Sequence, residues 1–164
     1  RDLEVNKKDN EGICALAASC IYSSTKSRDA RIVKILLDRG DLEVNVATPE
    51  GNLLAVACKN GEAPLVNALI QRRDLDVNKT KEGRTALMDA VISGNGAIVK
   101  VLLSRGDINF DLKDSQGMTA MNYACSARNT TIIKQLMAAK KKPASSRHPS
   151  PLEKQNLLSN KAEE

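Results

Sequence analysis

The segment Asp2-Leu3-Glu4-Val5-Asn6 returns as Asp41-Leu42-Glu43-Val44-Asn45, as Asp74-Leu75-Asp76-Val77-Asn78 and as Asp107-Ile108-Asn109-Phe110-Asp111, at steps of 39, 33 and 33 residues. A period of this size constrains the chain more than any local propensity. It demands small supersecondary units, each burying its apolar face on the next, stacked into a one-dimensional array.

A second signature follows each copy of the first. Gly12, Gly51, Gly83 and Gly117 come six, six, five and six residues after the closing Asn or Asp. Gly83-Arg84-Thr85-Ala86-Leu87-Met88-Asp89-Ala90 and Gly117-Met118-Thr119-Ala120-Met121-Asn122-Tyr123-Ala124 match position by position. Both resemble the ankyrin motif G-x-T-P-L-H-x-A, with Ala in place of Pro. Arg31-Ile32-Val33-Lys34-Ile35-Leu36-Leu37 and Ala97-Ile98-Val99-Lys100-Val101-Leu102-Leu103 are similar to the second ankyrin helix. The resemblance covers about residues 1–139. It implies an all-α fold, an ankyrin-repeat α-solenoid of helix-turn-helix pairs with hairpin-like finger loops.

Ile32, Val33, Leu36 and Leu37, and again Ile98, Val99, Leu102 and Leu103, make an apolar stripe on a short helix. Such a helix forms only when the stripe is covered by a neighbour, because nucleating it costs more than its few hydrogen bonds return. Gly40 and Gly106 fall just past this helix, where a left-handed glycine is expected to close it; Arg73 takes that place in the second repeat. The first repeat carries about five extra residues around Ser23 to Asp29, expected in the turn between its helices. The second repeat runs one residue short after Gly51, with Asn52-Leu53-Leu54-Ala55 where Thr-Pro-Leu-His is usual.

These boundaries give residues 1–6 as the end of a preceding repeat, four repeats at about 7–45, 46–78, 79–111 and 112–139, and a basic, Pro/Ser-rich segment over 140–164. Further repeats are expected upstream. Pro143 to Pro151 reads as a linker, and Leu152, Leu157 and Leu158 are candidates to line a short helix that folds back over the last repeat.

The chain has a net charge of +5, but residues 139–164 hold six Lys or Arg against three Glu, so the repeat body is nearly balanced. That distribution gives little basis for a phosphate-tracking groove, and nucleic-acid binding through the basic tail is the remotest reading. No apolar run is long enough to span a membrane. With two Tyr, one Phe and no Trp, the core must be built from aliphatic side chains, which suits packed short helices. Cys20, Cys58 and Cys125 fall at equivalent places in their repeats, where the third repeat has Val91, and Cys14 takes a motif Thr position. They read as small buried residues, neither metal ligands nor disulfide partners, in a reducing, intracellular and cytoplasmic setting.

Catalytic chemistry finds no foothold. The single histidine, His148, lies in the linker, so no Cys-His or Ser-His-Asp set can be assembled inside the repeats. Ser93-Gly94-Asn95-Gly96 lacks the Gly-Lys-Ser/Thr of a phosphate loop and reads as the turn between two helices. Arg39-Gly40-Asp41 and Arg105-Gly106-Asp107 spell an adhesion tripeptide, but both are explained as the end of a second helix running into the finger signature. Lys140-Lys141-Lys142-Pro143 is read first as cations at the negative end of the last helix and only second as a nuclear-import signal.

The resemblance implies no enzyme activity, cofactor or metal. It implies a monomeric protein-interaction module that grips another protein or peptide on a concave face of fingers and first helices. Carried over to this sequence, the partner-binding residues are Glu50, Lys81, Glu82 and Ser115 on the fingers, Arg84 and Met118 just after the finger glycines, and Ala55, Met88, Asp89 and Asn122 on the first helices. The alternative implied is an in-cis scaffold that packs against other parts of a longer chain.

Overall fold

A computed structural model describes residues 4–10, 13–21, 29–48 and 51–141. Among the described residues the chain forms helices in successive pairs: α1 (Ala15–Ile21) with α2 (Asp29–Leu37), α3 (Leu53–Lys59) with α4 (Ala63–Ile70), α5 (Ala86–Ile92) with α6 (Gly96–Leu102), and α7 (Ala120–Ser126) with α8 (Thr130–Lys140). The first helices of the pairs pack on one another in order, and so do the second helices. A short antiparallel hairpin, β1 (Ala47–Thr48) and β2 (Gly51–Asn52), forms one finger between pairs. The expected extra residues of the first repeat and the candidate tail helix over 152–158 lie outside the described residues.

Side-chain caps start five of the described helices. The side chains of Asn52, Thr85 and Thr119 accept from the backbone N–H groups of Ala55, Met88 and Asn122, capping α3, α5 and α7. Asn95 and Asn129 do the same for α6 and α8. The cap at Asn52 corrects the reading of the second repeat. Asn52 holds the place of Thr85, so Gly51 stands where Arg84 does: Gly51 pairs with Thr48 as Arg84 pairs with Lys81. The second repeat therefore has the same finger length as the third, and its glycine is displaced by one position.

The closing glycines also sit elsewhere than expected. Gly40 and Gly106 do not adopt positive φ; the left-handed residues that close helices are Gly61, Gly94 and Arg128, each just after a first helix. Helices α2 and α4 are closed instead by an arginine of the next repeat. Arg72 Nη1 donates to the carbonyls of Leu37 and Arg39 at 2.7 Å, and Arg105 Nη1 donates to those of Ile70 and Arg72 at 2.9 and 3.0 Å. Leu37 and Ile70 are the final residues of α2 and α4, whose carbonyls have no partner within the helix. An arginine can therefore replace glycine at position 73 without loss of a cap.

Each arginine is held in place by the Asp two residues on, in pairs Arg39–Asp41, Arg72–Asp74 and Arg105–Asp107. The adhesion tripeptide is thus engaged internally. A second ladder runs alongside it. Asn6, Asn45 and Asn78 each donate to a carbonyl of the following signature, at Asp41, Asp74 and Asp107, and accept from the N–H of Glu43, Asp76 and Asn109. The fourth signature closes with Asp111, whose carboxylate side chain, unlike the asparagine amide, has no N–H to donate; Lys140 Nζ donates to it at 2.8 Å. The core between these ladders is aliphatic, with Leu16, Leu53, Leu54, Leu69, Leu87, Ile98 and Leu102 among its fully buried side chains.

Candidate protein-interaction face

The third finger turns at Glu82 and Gly83, with φ of 55° and 78°. Lys81 and Arg84 exchange both backbone hydrogen bonds across it, at 3.1 and 2.9 Å. Two successive left-handed residues inside a doubly bonded pair are the two-residue hairpin turn whose twist suits its flanking strands. The fourth finger packs directly against it: a Cβ on Gly83 would lie 2.8 Å from Asp114 Cα and 2.9 Å from the Lys113 carbonyl oxygen. One oxygen of Asp114 accepts from the N–H groups of Gln116 and Met118, each at 2.9 Å, and the other accepts from the Tyr123 hydroxyl.

These contacts place a polar network across the boundary between the third and fourth repeats. Arg84 Nε lies 3.1 Å from Asp89 Oδ1, and the Arg84 guanidinium carbon sits 5.6 Å from the centroid of the Tyr123 ring. The Tyr123 hydroxyl bond holds the Asp114 carboxyl below its ordinary range, helped by the backbone N–H of Met118. The same bond, with burial, pushes the Tyr123 phenol up. Burial raises Asp89, against the opposing pull of Arg84 and Lys59.

Of the residues expected here, Lys81, Glu82, Arg84, Ser115 and Asn122 are exposed, and Met118 and Asp89 are partly so. Arg84 and Asp89 come together; Asn122 spends its side-chain oxygen on Thr119, whose N–H and hydroxyl both donate to it. Met88 is 1% exposed and Ala55 is also buried, so neither offers a contact surface. The reason lies in the helix: α5 buries Ala86, Leu87, Met88, Ala90 and Val91, leaving Asp89 and Ile92 as its outward residues. Glu50 lies outside the described residues.

The family model for ankyrin repeats (3 copies) matches residues 21–114 and, in an overlapping second placement, 54–147. The chain belongs to the ankyrin-repeat family. No curated protein matches it. Ankyrin repeats are generally protein–protein interaction modules. No helix among the described residues is long and apolar enough to cross a membrane.

Within this ankyrin array, motif carry-over missed Tyr123, Asp114 and Ile92. Tyr123 holds the place of Asp89 in the aligned motifs, so pairing the two columns would have brought it forward. Ile92, 45% exposed at the end of α5, stands where α3 has Lys59. Cys14 and Cys58 are buried and Cys125 is exposed; burial, with Asp89 adding to it, raises the Cys58 thiol and keeps it protonated.

Proposed function

We propose that the chain binds a protein or peptide partner on the face formed by the fingers and first helices of the third and fourth repeats, centred on Arg84. The observation that carries this reading is the Asp89–Arg84–Tyr123 arrangement. It holds a half-exposed guanidinium in a fixed orientation over an aromatic ring, and Ile92, about one helical turn along α5 from Asp89, is exposed as well. Arginine and aromatic anchors next to an apolar contact are the composition of an interface centre, and a preorganised arginine loses little side-chain freedom on binding. The exposed finger residues Lys81, Glu82 and Ser115 supply a polar rim around it.

The test is partner capture by the native chain and by the Arg84→Glu, Ile92→Arg variant, with helical content checked for both. A partner held by the first and lost by the second supports the reading. Equal capture by both refutes it.

A further inference from the structure

Each repeat buries one apolar face beneath the next, and equivalent positions show where that cover stops. Cys58 and Val91 are buried, whereas Cys125 at the same place in α7 is exposed. Leu16, Leu54 and Leu87 are buried, whereas Met121 is only partly so. Val33, Val66 and Val99 give way in the same manner to Ile133, and Val44 and Val77 to Phe110. Leu37 and Ile70 are buried, and Met137 is 51% exposed. At this end of the array Phe110, Asp111, Thr119, Ala120, Met121, Leu136 and Lys140 line an open groove. Met121, Ile133, Met137 and Phe110 therefore leave apolar surface at the positions where the earlier repeats are covered, and that surface favours an apolar cover.

We propose that residues 152–158 of the same chain cover this face. Leu152, Leu157 and Leu158 are the large aliphatic side chains of residues 142–164. Helix α8 ends at Lys140, one turn beyond Met137, so the segment that follows starts at the edge of the exposed surface. Residues 142–151 precede Leu152 and span at most roughly 35 Å, against a length of about 16 Å for α8; every point along α8 is within reach. Tethering makes the contact intramolecular, so that a modest apolar area suffices where a free peptide of this size would not bind.

Cys125 reports on the cover. In the full chain, maleimide labelling resolved by peptide mass spectrometry is expected to modify Cys125 about tenfold more slowly than in the Leu157→Asp, Leu158→Asp variant, with Cys58 protected in both. Protection at Cys58 certifies that the variant is folded. As a second measurement, Leu158→Cys is expected to form a disulfide with Cys125 under mild oxidation at low protein concentration. Equal labelling of Cys125 in native chain and variant, or failure of Leu158→Cys to cross-link, overturns the proposal. Protection that disappears on dilution also overturns it and assigns the cover to a second copy of the chain.

Discussion

The Arg105 guanidinium reaches back across a repeat boundary to the carbonyl of Ile70, the last residue of α4, at 2.9 Å. It also donates to the carbonyls of Arg72 and Leu75 and is locked by Asp107, whose side chain is 6% exposed. Replacing it with Leu removes these bonds and strands a buried carboxylate. Arg105→Leu is expected to cost roughly 3 kcal/mol in urea unfolding. Arg39→Leu, at the exposed first rung, is expected to change stability far less. Equal losses at the two positions would contradict the stapling role.

The Tyr123–Asp114 bond predicts opposite behaviour in acid and base. Asp114 is held below its ordinary value of 3.8, so its contribution is complete above that value and is lost as pH falls through the lowered one. Tyr123 is raised above 10.0, so its contribution is complete below that value and is lost as pH rises through the raised one. Tyr123→Phe is therefore expected to be less stable than the native chain at neutral pH, with the difference shrinking at both extremes. In side-chain NMR titration the variant should show Asp114 titrating at higher pH than in the native chain.

Two backbone positions predict changes of opposite sign. Gly83→Ala combines positive φ with contacts below 3 Å to the backbone of the fourth finger and is expected to cost about 2–3 kcal/mol. Arg128 has φ of 52° where the preceding repeats have Gly61 and Gly94, so Arg128→Gly is expected to stabilise by about 0.5–1 kcal/mol. Thermal melts of the two variants check both signs.

The repeat architecture was legible because the same residues return at a fixed step, so that one motif could be checked against its copies. What binds the copies together was less legible. The arginine and asparagine ladders end on main-chain carbonyls and N–H groups, which leave no mark in the sequence they come from. Gly51 misled because a glycine was assumed to mark the same finger position in every copy, whereas the cap at Asn52 sets the register. Gly40 misled because a cap supplied by Arg72 of the next repeat replaces the left-handed residue. Met88 was assigned to the surface from its motif position, although five of the seven residues of α5 are buried and Met88 is among them.

That burial distinguishes two substitutions on one helix. Met88→Arg places an unpaired cation in the core and is expected to abolish the cooperative unfolding transition. Ile92→Arg, on the outward side, is expected to leave the circular dichroism spectrum unchanged and shift stability by less than about 1 kcal/mol. A folded Met88→Arg protein would contradict the assigned packing of α5.

The central claim is tested most directly by quantitative affinity capture with the native chain and the folded Arg84→Glu, Ile92→Arg variant, followed by calorimetry with the purified partner. The account predicts a captured protein whose affinity for the variant falls by about tenfold or more, a loss of at least about 1.4 kcal/mol. A partner that binds both with the same affinity would contradict it.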